Sequence, residues 1–300
     1  MNPSMNGLRV LREIAERGSF TGAAAALGYT QSAVSRQVAA LETEAAAALF
    51  DRRPGGVELT AAGRVLLRHA AVVLDELDAA ARELDGRPEE GGRVRLGAFA
   101  SAGAALIPRT LVQLRRRNPG IDVTTREGST PALTRAIRAG TLDLAVLASA
   151  PPFRAPDKES PPLVLETLTE RSLLLAVPAT SRLARDSVRL ADLRDERWIV
   201  SPSTGDETLL GVWPGLEGRA IISHTGRDWL AKLHLVAAGC GVTTVPPALA
   251  SIVPSGVRLV RVADGPRELR RLVLARLPGR PDAAVAQLAE ALRCAAAELG

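Results

Sequence analysis

The sequence predicts a multi-domain α+β chain, on three observations. Three short helices and a strand pair fill residues 1–60, a long heptad-patterned helix follows, and apolar strands then alternate with helices to the end. A length of 300 residues exceeds the usual single-domain size, so two or more folded units are expected. The 46% hydrophobic and 24% charged content is that of a folded globular protein. No run of ~18 uninterrupted apolar residues appears, so no membrane partner is expected. The amino terminus lacks a basic segment followed by an apolar run, which makes the expected location cytoplasmic.

The first helix is marked by Leu8, Leu11, Ile14 and Ala15, spaced by three and four, and Gly18 breaks it. Ser19 and Thr21 offer cap oxygens to a second helix, Thr21 to Leu27, rich in alanine. Gly28-Tyr29 makes a turn, and Thr30 caps a third helix from Gln31 to about Thr43. Two short helices, a glycine turn and small residues at the crossing are what a helix-turn-helix requires.

On the third helix Val34, Val38 and Leu41 form the buried face, which leaves Gln31, Ser32, Ser35 and Arg36 outward near its start. Those side chains suit base edges and phosphates in a major groove. In isolation the same pattern also describes an amphipathic helix with a solvated face. The next segment decides: Leu49 to Arg53 and Val57 to Leu59 flank Pro54-Gly55-Gly56, a two-stranded ribbon with Arg52 and Arg53 near its tip. A basic wing beside a recognition helix is placed for phosphate or minor-groove contact. Residues 1–60 therefore read as a winged helix-turn-helix, with double-stranded promoter DNA as partner. Net charge adds little: eight arginines against six acids in residues 1–72 leave the head barely basic.

Thr60 caps a helix running to about Asp85, in which Leu66, Ala70, Val73, Leu77, Ala80 and Leu84 repeat at four and three. Residues 61–86 are expected to pair with a second copy, and 87–92, glycine-rich, form a hinge. Residues 93–300 then read as two α/β lobes: lobe I, 93–165 and 269–300, and lobe II, 166–268. Lobe I is expected to hold a parallel sheet with crossover helices.

Ligands of open α/β sheets sit beyond strand carboxyl ends, against helix amino termini. Hydroxyls cluster at such places: Ser101, Ser129, Thr130 and Ser149 in lobe I, and Ser201, Ser203, Thr204 and Thr225 in lobe II. The set suits a small anion, although any single member serves equally as a helix cap.

The set Gly18-Ser-Phe-Thr21, Ala24-Ala25, Leu27, Thr30-Gln-Ser-Ala-Val-Ser-Arg-Gln37, Leu41-Glu42, Leu49-Phe-Asp-Arg52 and Leu59-Thr-Ala-Ala-Gly63 resembles the LysR-type transcriptional regulators. The likeness continues through Leu106-Ile-Pro108, Arg117-Asn-Pro119, Gly140-Thr-Leu-Asp-Leu144 and Ala237-Ala-Gly-Cys-Gly241. It implies a periplasmic-binding-protein-like sensor domain, a small-molecule effector, and a homodimer or homotetramer on a pseudo-palindromic site. Two departures are visible. Ala45-Ala46 replaces the Leu-Gly that usually follows the recognition helix, which lengthens that helix or strains the turn. The Trp198–Gly211 segment is also short for the family.

Two other functional classes fit the sequence less well. Catalysis finds no support, since His69, His224 and His234 lack metal-ligand spacing and no nucleophile or phosphate-loop motif occurs. No cofactor or metal is expected, and Cys240 and Cys294 read as small apolar residues. A solute-binding transport protein matches the lobes but not the amino-terminal head.

Overall fold

A computed structural model of the chain describes residues 2–53, 56–84, 91–156, 159, 161–202, 211–216 and 219–299. The head begins with α1 (Met5–Arg17), α2 (Phe20–Leu27) and α3 (Gln31–Ala45). Each helix starts on a hydroxyl cap. Ser4, Ser19 and Thr30 accept from the backbone N–H groups of Gly7, Gly22 and Ala33. Each such cap contributes about 1 kcal/mol. Gly18 and Gly28 end the first two helices in the left-handed region, at φ 69° and 68°. At the corresponding point after α3 stands Ala46, at φ 49°. The helix therefore ends where a glycine would end it, and Ala46 carries the strain.

A ribbon follows, β1 (Phe50–Arg53) paired antiparallel with β2 (Gly56–Leu59). It is tied back to the helices: Val57 N–H donates to the Gly18 carbonyl at 3.1 Å. Gly56 allows that approach, since a Cβ there would stand 2.7 Å from the same oxygen. The long helix is α4 (Ala61–Leu84), and Thr60 accepts from Gly63 N–H at its start.

The first half of α4 packs against its own chain. Leu66, Leu67, Ala70 and Leu74 join Leu8, Leu11, Leu41 and Leu49 in one core, which Ala139 closes from the sensor side. The heptad residues thus divide: Leu66 and Ala70 are buried within the protomer, whereas Val73, Leu77, Ala80 and Leu84 are exposed. A heptad pattern specifies an apolar stripe without specifying which surface covers it. Val65 and Val72 are exposed beside the second group.

In lobe I, β3 (Arg93–Ala98), α5 (Ala100–Arg117), β4 (Asp122–Glu127), α6 (Thr130–Arg138), β5 (Leu144–Ser149) and β6 (Val164–Ser172) come in order. Lobe II holds β7 (Leu174–Pro178), β8 (Ser187–Val188), β9 (Arg197–Val200), β10 (Ile221–Thr225), α7 (Trp229–Ala237), β11 (Thr243–Val245) and β12 (Val257–Val262). The chain returns through β13 (Leu269–Arg276) and finishes with α8 (Ala283–Ala297).

Lobe I is a five-stranded sheet of order β4-β3-β5-β13-β6. Its β3 pairs are parallel, but β13 runs antiparallel to both β5 and β6, so the sheet is mixed rather than purely parallel. This mixture corrects the domain boundary as well. Strand β6 pairs with β13 from Val164↔Arg276 to Ser172↔Leu269, so lobe I extends to Ser172 and the crossing falls after it, not at residue 165. The strand's polar-rich run, Glu166-Thr-Leu-Thr-Glu170, hid it. Strand β12 likewise lay outside the expected elements; it pairs with β7 and β8 in the four-stranded sheet β11-β7-β12-β8 of lobe II. Of the expected hinge, residues 87–90 lie outside the described part.

The head docks on lobe I. Gly140, at φ 69°, comes so close to α4 that a Cβ would meet the Ala71 methyl at 2.6 Å. Around this contact Arg126 donates to Glu16, and Arg135 Nε donates to the Glu16 carbonyl at 3.1 Å. Among the described residues, no helix is long and apolar enough to cross a membrane.

Candidate DNA-reading face and effector cavity

Helix α3 is anchored by the buried Val34, Val38 and Leu41. Helical geometry then turns Gln31, Ser32 and Arg36 to solvent, with Ser35 half-buried beside them. Thr30 Oγ1 accepts from Ala33 N–H at 3.2 Å and lies 3.0 Å from Ser32 Oγ, which fixes the first turn. The amino terminus of a helix favours a phosphate through its unpaired N–H groups and its dipole. Tyr29, in the turn before it, is exposed and donates to Asn6 Oδ1 at 3.2 Å. Arg52 and Arg53 belong to the backbone of β1; their side chains lie outside the described part.

The second site is a cavity of about 190 Å³ between the two lobes. Lobe I contributes Phe99, Ser101 and Leu106 around the start of α5, Thr169 and Arg171 from β6, and Leu272 from β13. Phe99, at the amino-terminal cap of α5, supplies no side-chain acceptor, so no side chain caps the first-turn N–H groups. Lobe II contributes Ser201 after β9, Trp229 and Lys232 from α7, and Thr244 from β11.

Lys232 is only 1% exposed. Its ammonium donates to Ser201 Oγ at 2.9 Å and stands 3.6 Å from the centre of the Trp229 ring. Burial pulls its pKa down to about 8, with Asp228 opposing that shift. At the other wall Arg270 donates to Glu268, whose carboxyl is pushed above its ordinary range chiefly by burial.

Of the expected effector residues, Ser101 and Ser201 line this cavity. Ser129 and Thr130 sit at the start of α6 and do not reach it. Ser149 ends β5 one residue past Ala148, which does line the cavity, and Thr225 is exposed at the end of β10. Ser203 and Thr204 lie outside the described residues, as does most of the short Trp198–Gly211 segment.

Lys232 was the residue that sequence reasoning missed. A signal was available, because the chain has two lysines among 38 basic residues and this one interrupts the apolar run Trp229-Leu-Ala-Lys-Leu233. A cation there is either exposed on a surface helix or aimed into a cavity, and burial decides for the second.

A head of three capped helices with a ribbon, joined to two lobes around a cavity, agrees with what family models find in this sequence. Residues 5–64 match the bacterial regulatory helix-turn-helix protein of the lysR family, and residues 87–297 match the LysR substrate binding domain. The chain belongs to the LysR family. It is a DNA-binding transcription regulator with an effector-binding domain, and not an enzyme.

Among relatives, it is 33% identical over 288 residues to the small neutral protease regulatory protein of Streptomyces coelicolor, covering 90% of this chain and 85% of that one. Among solved structures, a full-length OxyR variant from Pseudomonas aeruginosa aligns with a TM-score of 0.60 at 22% identity, over 99% of this chain and 95% of the other. Full-length CbnR complexed with its target DNA aligns with a TM-score of 0.53 at 23% identity, over 98% and 99% of the two chains. The winged helix-turn-helix and the two-lobed sensor are thus the LysR architecture throughout.

Proposed function

We propose that this LysR-family regulator reads promoter DNA through Thr30, Gln31, Ser32, Ser35 and Arg36, with Arg52 and Arg53 of the wing on the flanking backbone. The observation that carries the reading is the exposed first turn and a half of α3, held out by the buried Val34 and Val38. Gln suits an adenine edge and Arg a guanine edge or a phosphate. CbnR has been solved with its target DNA, which supports the same use of this head.

The protein works in the cytoplasm as a homodimer or homotetramer. The stripe of Val65, Val72, Val73, Leu77, Ala80 and Leu84, left open on α4, pairs with the same stripe of a second copy. Two heads then engage two half-sites, which multiplies the modest affinity of one. A small anionic metabolite in the cavity between the lobes changes their relative position, and with it promoter binding or bending.

Footprinting on the DNA upstream of the chain's own gene tests this reading. Protection should span two half-sites, and Gln31→Ala with Arg36→Ala should weaken binding by about 1–3 kcal/mol for each lost base contact. Unchanged affinity in the double variant would mean that DNA is read by another face. A metabolite library screened by thermal shift, followed by footprinting with each hit, tests the sensing half.

A further inference from the structure

The cavity holds a charge that its walls do not explain. Lys232 is buried in a chamber whose other surfaces are mostly apolar, formed by Phe99, Leu106, Leu173, Leu272 and Leu299. An ammonium has three N–H donors. Ser201 Oγ takes one, and the face of Trp229 provides a second favourable contact. Among the described residues no carboxylate forms an ion pair with it. Buried charges are ordinarily paired, so an ammonium at a cavity wall with no bonded carboxylate among the described residues suits an anionic ligand.

The remaining cations are placed differently. Arg270 is bonded to Glu268, and Arg171 is exposed. Among the described residues, Lys232 is therefore the buried lining cation that has no carboxylate bonded to it. A cavity of about 190 Å³ is comparable to the roughly 150 Å³ engineered cavity that accommodates benzene, so the body of the ligand is one ring or a short branched chain. An amine would meet Lys232 as a like charge.

Resting on the reading of this cavity as the effector site, we infer that the effector is a small monocarboxylate with an apolar body, its carboxylate held by Lys232 and Ser201. The hydroxyl set seen in the sequence suits a small anion; the buried lysine and the apolar walls narrow it to a monocarboxylate with an apolar body. The carboxylate takes the free N–H of Lys232, and the apolar body fills the space toward Leu106 and Leu272.

Calorimetric titration of the full chain with benzoate and isovalerate, each beside its neutral amide, tests the inference. At least one acid should bind at pH 7, with its amide weaker by roughly 30-fold, the value of one charge-assisted hydrogen bond. Lys232→Met should weaken the acid by a similar factor, and Lys232→Arg should lose less. Because the amine titrates near 8, affinity for the acid should also fall about tenfold between pH 7 and pH 9 in the unaltered chain. Among the described residues, the other charges around the cavity are Asp228 at the cap of the same helix, Arg171 on β6 and the Glu268–Arg270 pair next to and on β13. A flat profile in Lys232→Met assigns the titration to Lys232 rather than to them. Equal binding of acid and amide, retained acid affinity in Lys232→Met, or no binding of either acid overturns the inference. The acid–amide comparison and the pH profile need no variant, so they stand even if a substitution prevents folding. A library hit of another class that alters the footprint would leave the proposed function intact while removing this ligand assignment.

Discussion

The Asp75 carboxylate on α4 accepts a hydrogen bond from Arg95 Nη1 on β3 at 3.0 Å, which joins the long helix to the first strand of the sensor. Asp75 also faces Arg12 of α1 at 3.4 Å, and Arg95 is held from behind by Asp143 through bonds of 2.7 and 3.1 Å. Head, long helix and sensor thus share one chain of alternating charges.

Asp75→Asn should loosen this junction with little effect on global stability. Burial raises the Asp75 pKa, and Arg95 and Arg12 oppose it without cancelling it. For an acid whose folded pKa is raised, the folded state holds the proton longer. Its contribution to stability therefore falls as pH rises through the range just above the ordinary carboxylate value. Removing the charge at pH 7 should change the unfolding free energy by less than about 1 kcal/mol in urea. Amide exchange along α1 and β3 should quicken. A loss above roughly 3 kcal/mol would show instead a pair essential to the fold.

Leu74→Ala and Leu77→Ala should separate the two faces of α4. Leu74 is 1% exposed in the protomer's own core, so truncation should cost about 2–5 kcal/mol. Leu77 is 45% exposed, and its truncation should leave monomer stability nearly unchanged while weakening self-association in sedimentation equilibrium. If Leu77→Ala left the association constant unaltered, pairing through this stripe would be wrong.

Ala46→Gly should stabilise the head. Ala46 holds φ 49° and ψ 33°, a conformation that costs a residue with a Cβ roughly 1–2 kcal/mol relative to the right-handed one. Glycine removes that strain but adds freedom to the unfolded chain, which leaves a net gain of about 1 kcal/mol. Thermal unfolding of the full chain, followed by helical circular dichroism, gives the sign directly; a lower midpoint would contradict it.

Lys232→Met should stabilise the ligand-free protein at neutral pH. Burial lowers the folded pKa from 10.5 to about 8, so between those values the unfolded chain binds a proton that the folded chain releases. Stability from this group therefore rises with pH across that window, and its full cost is present below pH 8. The variant should gain on the order of 3 kcal/mol at pH 7, and the gain should vanish above about pH 10.5. Urea denaturation at pH 7, 9 and 10.5 measures it.

Much of the head was legible in the sequence because its signals are local. Caps at Ser19 and Thr30, breaks at Gly18 and Gly28, and the period of Val34, Val38 and Leu41 each act within a few residues, and the helices lie where those signals put them. The sensor's alternation was legible for the same reason, while β6 escaped because its polar residues outnumber its apolar ones. The lining of the cavity between the lobes was legible only in part. Ser101, expected before a helix, and Ser201, expected after a strand, line the cavity, whereas Ser129, Thr130, Ser149 and Thr225, chosen on the same grounds, do not.

By itself, then, the sequence determined the family, the order of its elements and the outward face of α3, since all of these depend on neighbours along the chain. Tertiary structure alone decided which half of α4 is covered by its own protomer, where lobe I gives way to lobe II, and that Lys232 faces a cavity. Each of these depends on surfaces brought together from distant segments. Burial, which sets both the charge state of Lys232 and the availability of Leu77, exists only once those segments meet.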